Sequence, residues 1–123
     1  MGKRILFIDP DEAISEAVTT ILGSAGHRIR METRGRDALE LFSRDPYAFD
    51  LIVMDMGLPD ISGLLLAEKL FKVRADIPVV LLAGAEGQAQ AKARESAIRW
   101  FGIKPLSMTD LAETVERALT GVE

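Results

Sequence analysis

The chain has no cysteine and, among its 123 residues, only one histidine, one tryptophan and one tyrosine. Without Cys there is no disulfide framework, no thiolate zinc site and no Cys nucleophile, which agrees with a reducing, cytoplasmic setting. A lone His27 excludes multi-His metal sites and leaves imidazole acid–base chemistry little to work with. No apolar run approaches the roughly 20 residues that a spanning helix needs. Lys3 and Arg4 precede only the short run Ile5-Leu6-Phe7-Ile8, and acids follow at once at Asp9, Asp11 and Glu12, so the N-terminus is not a secretory signal. Positive charge is also in deficit: 15 Lys and Arg against 19 Asp and Glu give a formal net charge of −4. Neither nucleic acid nor a membrane is therefore an expected partner.

What remains is ordinary globular material. With 48% apolar and 28% charged residues, the chain resembles neither a disordered nor a low-complexity segment. Its length predicts a single domain over residues 1–123, with no output domain in the chain. A domain of this size buries about two thirds of its unfolded surface and needs no metal or disulfide staple.

Three continuous apolar runs, Ile5 to Ile8, Leu51 to Met54 and Val79 to Leu82, read as strands buried on both faces. His27 to Thr33 alternates Ile29 and Met31 with charged residues and reads as a strand with one wetter face; Ile98 to Ile103 supplies a last one. Between them, Ile14, Ala17, Val18, Ile21 and Leu22 recur at helical spacing. Ala38, Leu41 and Phe42 mark a second helix, stopped by Asp45-Pro46. Leu66, Ala67, Leu70 and Phe71 mark a third, the Ala-rich stretch Gln88 to Ser96 a fourth, and Leu111, Val115, Ala118 and Leu119 the last. Strands alternating with helices predict an α/β, doubly wound, five-stranded parallel sheet covered on both sides, in three layers. Ligands of such sheets bind beyond the carboxyl ends of the strands, where the strand order reverses.

Those ends carry Asp9, Asp55, Ala83-Gly84 and Lys104-Pro105. Two carboxylates about 4 Å apart repel by about 4 kcal/mol at an effective dielectric of 20, so Asp9 and Asp55 require a cation between them. Mg²⁺ and Lys104 are the natural choices, since a hard divalent ion takes one or two protein carboxylates and fills its shell with water or phosphate oxygens.

The series Ile5-Leu6-Phe7-Ile8-Asp9, then Asp50 through Asp55-Met56-Gly57-Leu58-Pro59-Asp60-Ile61-Ser62-Gly63, then Ile77-Pro78-Val79-Val80-Leu81-Leu82 and Lys104-Pro105 resembles the receiver domain of bacterial two-component response regulators. The resemblance spans essentially the whole chain. It implies a flavodoxin-like fold, no enzymatic turnover, and a phosphoryl group taken by Asp55 from a histidine kinase or phosphotransfer protein. It further implies that Lys104 contacts the phosphoryl group and that Mg²⁺ is held by Asp9, Asp55 and the Gly57 backbone carbonyl. Phe101 takes the family's aromatic switch position, the Lys104-Pro105 bond is expected to be cis, and an output partner is expected to dock on the segment around Gln88–Phe101.

Two positions depart from the family. Pro10 stands where a second acid coordinates the ion, leaving Asp11 or Glu12 to substitute through water. Ala83 stands where a Ser or Thr hydroxyl bonds the phosphoryl oxygens and couples them to loop movement, so activation is expected to be weakened. The departures keep a second reading open, a receiver-like module that binds its partner without phosphorylation. A third is remote: Asp9 and Asp11 also fit the Asp-x-Asp signature of haloacid-dehalogenase-type phosphatases, with nucleophile and general acid two residues apart. A structural reading stands beside all three, with Asp9 as N-cap, Pro10 at the first helical position and Glu12 completing a capping box. Of Trp100 and Phe101, alternation lets one face the core and leaves the other as a partner anchor.

Overall fold

The computed structural model describes residues 2–93, 96–105 and 107–123. Among the described residues, five strands, β1 (Arg4–Ile8), β2 (Arg28–Glu32), β3 (Leu51–Asp55), β4 (Val79–Ala83) and β5 (Trp100–Ile103), form one parallel sheet in the order β2-β1-β3-β4-β5. The connecting helices are α1 (Ser15–Ser24), α2 (Gly35–Arg44), α3 (Gly63–Val73), α4 (Ala85–Ala93) and α5 (Met108–Thr120). This is the doubly wound architecture that the strand and helix patterns predict, in the flavodoxin-like order that the resemblance implies. The order reverses between β1 and β3, which pair with Ile8 opposite Met54, so the crevice of the sheet opens at their carboxyl ends.

The apolar runs are continuous because each strand feeds two cores at once. Leu6 and Ile8 of β1, with Ile52, Met54, Val79 and Leu81, pack in one layer with Ala38 and Phe42 of α2 and Leu66 and Leu70 of α3. Ile5 and Phe7, with Leu51, Val53, Val80 and Leu82, pack on the opposite face with Val18 and Leu22 of α1 and Leu111 and Val115 of α5. Each such side chain, fully buried, contributes about 1.5–3 kcal/mol of transfer free energy. β2 lies at the edge of the sheet, and there the alternation survives: Ile29 and Met31 are half-buried, whereas Arg28 and Arg30 are exposed.

Several local expectations shift. The fourth helix begins at Ala85 rather than Gln88, and the end proposed for it at Ser96 crosses Arg94 and Glu95, which lie outside the described residues. The last strand begins at Trp100 rather than Ile98. Both aromatic residues of β5 pack: Trp100 against the α1–α5 layer and Phe101 against the layer beneath α2, α3 and α4. A sheet covered on both faces has a core for each, so neither is the free anchor that simple alternation suggested. The capping box is also displaced. The cap is Asp11, whose Oδ1 accepts the Ala13 N–H at 2.9 Å and opens a 3₁₀ turn over Glu12–Ile14 before α1. Asp9, just before it, divides its carboxylate between the Asp11 N–H and Lys104.

One contact that fixes this end of the sheet spans 25 residues. Asp60, in the loop after β3, accepts the Gly35 N–H at 2.9 Å and the Arg36 N–H at 2.8 Å. It thereby satisfies two donors at the start of α2 that no local side chain caps. Burial acts to raise the Asp60 pKa, but these two backbone donors prevail and hold it below the usual carboxylate value.

Candidate functional site

Pairing of β1 with β3 brings two acids together. Asp9 directly follows β1 and Asp55 ends β3; they are 1% and 7% exposed, the buried charged residues among those described. Lys104, immediately after β5, is anchored by its own N–H, which donates to the Ala83 carbonyl at 3.0 Å. Its ammonium donates to Asp9 Oδ2 at 3.1 Å and pairs with Asp55 Oδ1. The second oxygen of each acid takes a backbone N–H two residues further on: Asp11 donates to Asp9 Oδ1 at 2.9 Å, and Gly57 to Asp55 Oδ2 at 2.8 Å. Partial burial acts to lower the Lys104 pKa, but its hydrogen bonds to Asp55 and Asp9 and their charges more than offset this, leaving it raised above the ordinary lysine value. The Lys104-Pro105 bond is cis.

These three residues therefore meet as the sequence predicts; the remaining expected site residues are placed as follows. Gly57 contributes its N–H to Asp55, and Pro10 is exposed. Asp11 spends its carboxylate on the Ala13 N–H, and Glu12 is exposed in the first turn. Among the described residues, no three His, Cys, Asp or Glu side chains converge in a cluster able to hold a metal. The donor chemistry still suits Mg²⁺ in its minimal form, two hard carboxylates with the rest of the shell left to water and phosphate. Ala83 is buried at the end of β4, and Phe101 is half-buried beneath the Lys92 ammonium, 5.4 Å from the ring centroid.

An open cleft of about 450 Å³ leads to Asp55, with Met56, Ala83, Gly87, Gln90 and Lys104 among its walls. It gives a reactive group access to Asp55, whereas Asp9 lines a separate cavity of about 150 Å³ together with Lys104 and Pro105. A buried carboxylate held beside an ammonium and backbone donors is arranged to receive and neutralise an anionic group. Met56, Gly87 and Gln90 were not singled out by sequence reasoning. Their only signal is a glycine inside an Ala-rich helix, which looks like weakness until the helix is seen to rest on β4.

Comparison with known proteins agrees with this geometry. Residues 5–116 match the family model described as the response regulator receiver domain. The chain is similar to the DNA-binding transcriptional regulator NtrC of Azospirillum brasilense, 33% identical over 119 residues that cover 96% of the chain and 24% of the relative. The chain thus spans about a quarter of that protein. Among solved structures it resembles the non-phosphorylated HemR receiver domain of Leptospira biflexa, with 30% identity, a TM-score of 0.84 and coverage of 96% and 94% of the two chains. The fold is shared with the chemotaxis response regulator CheY4 of Vibrio cholerae, at 22% identity, a TM-score of 0.83 and coverage of 96% and 99%. Among the described residues, no helix is long and apolar enough to cross a membrane.

Proposed function

Because this chain belongs to the response regulator receiver domain family, we propose that it takes a phosphoryl group on Asp55 from a phosphohistidine of a histidine kinase or phosphotransfer protein. The observation that carries this reading is the buried Asp9–Lys104–Asp55 cluster at the foot of an open cleft. In the transfer, an Asp55 carboxylate oxygen attacks phosphorus; a P–O bond forms, the P–N bond breaks, and its electron pair leaves with the imidazole nitrogen, which takes a proton. Lys104 is placed to neutralise the transferring group, and Asp9 holds Lys104 in position. When bound, Mg²⁺ would be held by Asp9, Asp55 and the Gly57 carbonyl, with a water held by Asp11 or Glu12 in its shell, and would supply further charge neutralisation. Proteins of this family are signalling modules rather than turnover enzymes, and pass the signal from a histidine kinase to an output domain.

Activation in this chain is weakened. A hydrogen bond to a charged group is worth about 1.5–3 kcal/mol, and Ala83 has no hydroxyl with which to make it. The output partner contacts the segment around Gln88–Phe101, of which Arg94 and Glu95 lie outside the described residues. The Pro10 and Ala83 departures favour a second reading, constitutive partner binding without phosphorylation. In the phosphatase reading the general acid would be Asp11, whose Oδ1 accepts the Ala13 N–H.

Incubation of the full chain with acetyl phosphate and Mg²⁺, followed by intact mass, tests the proposal. Wild type gains one phosphoryl group and Asp55→Asn gains none. An unmodified wild type, or an adduct that survives Asp55→Asn, overturns it.

A further inference from the structure

α4 is the helix with the least to hold it, carrying four alanines and a glycine within Ala85–Ala93. Yet it rests directly on the site. A Cβ at Gly87 would lie 2.9 Å from the Ala83 Cβ and 2.9 Å from the Met56 Sδ, closer than side-chain carbons pack. One turn later Ala91 is fully buried, in the same apolar cluster as Ala83, with Met56 and Phe101 packed against it. Lys92, beside Ala91, lays its ammonium over the Phe101 ring. Thus one face of α4 touches the residue after Asp55, the residue at the end of β4 and the aromatic residue of β5.

We infer that Ala83, Gly87 and Met56 form a close-packed seat that fixes α4 in its docked position whether or not Asp55 carries a phosphoryl group. Small size at both 83 and 87 lets the helix backbone come down onto the strand end, where dispersion contacts of carbon and sulfur replace a polar link. Such contacts carry no charge of their own, and the polar side chains that α4 turns to the cleft are Glu86 and Gln90. The seat also explains a glycine in the first turn of α4, where helix propensity alone favours alanine. The surface formed by α4 and β5 is then preset, and a partner finds it in the resting protein. The phosphorylation arm of the test rests on the reading of Asp55 given above; the glycine arm does not.

Amide hydrogen exchange of the full chain tests the seat. Gly87→Ala, which by propensity alone would slow exchange in α4, is expected to accelerate it at least about fivefold while β1 and β3 are unaffected. Gly23→Ala in α1, where a new Cβ meets nothing within 4 Å, is expected to leave α1 unchanged or slower. In wild type treated with acetyl phosphate and Mg²⁺, with intact mass confirming the adduct, α4 exchange is expected to change less than about twofold. A Gly87→Ala helix that exchanges as slowly as wild type, or a wild-type α4 that changes more than about tenfold on phosphorylation, overturns the inference. If no adduct forms, the reading of Asp55 fails and the glycine arm alone decides the seat.

Discussion

On the β1–β3 flank of the cleft, Lys104 bridges two buried carboxylates whose remaining oxygens take backbone N–H groups. On the β4–α4 flank, a few ångströms away, Gly87, Ala83 and Met56 meet through carbon and sulfur. Charge added at Asp55 changes every term on the first flank, because Coulomb energies there act in partial burial. The Gly87–Ala83–Met56 contacts of the second flank depend on shape, and its polar side chains on the cleft wall are Glu86 and Gln90. The proposed preset of the output face rests on this contrast between the two flanks.

The largest expected effect tests the polar flank. Lys104→Met leaves Asp9 and Asp55 facing each other without a cation and should lower unfolding free energy at neutral pH by about 2–3 kcal/mol. That is below the range for a fully buried pair, since the Lys104 side chain is 40% exposed. Denaturant titrations across pH should follow the raised Lys104 pKa. The pair's stability is fully present below the ordinary lysine value of 10.5 and is lost as pH rises through the higher folded value. A deficit that does not depend on pH would place Lys104 with the shape-determined contacts.

Asp60→Ala provides a second polar comparison, away from the acceptor. Loss of both donors' partner at the start of α2 should cost about 1 kcal/mol, as for an N-cap partly screened by solvent. Because the folded Asp60 pKa is depressed, the contribution is present above the unfolded value near 3.8 and disappears as pH falls through the folded value. Wild type and variant should thus converge in thermal stability in strong acid.

Gly87→Ala probes the apolar flank by the same readout. Crowding should outweigh the gain in helix propensity and leave a net loss of about 1 kcal/mol, independent of pH and salt. A pH-dependent loss would erase the distinction between the flanks. The smallest effect belongs to Asp11→Ala, about 0.5 kcal/mol for an exposed cap on a single turn. Circular dichroism melting should register it.

What was legible in the sequence follows the same division. Continuous apolar runs revealed β1, β3 and β4 because a two-sided core leaves no polar position in them, and acids or a lysine abutting such runs revealed Asp9, Asp55 and Lys104. The Asp9 cap was misplaced because a lysine 95 residues away competes for the same carboxylate, a long-range contact with no local signature. Asp60 was visible only as part of a turn, since its two donors belong to a different helix. The α4 seat left no periodic trace at all: glycine and alanine carry too little apolar surface to mark a face, although Ala91 is as buried as any leucine in the sheet.

Backbone amide chemical shifts of the full chain, recorded before and after acetyl phosphate and Mg²⁺, compare the two flanks in one experiment. Phosphorylation of Asp55 is predicted to displace the amides of Asp9, Asp11, Asp55, Gly57 and Lys104 strongly and to leave those of Ala85–Ala93 nearly in place. Displacements along α4 as large as those around Asp55 would contradict a preset output face.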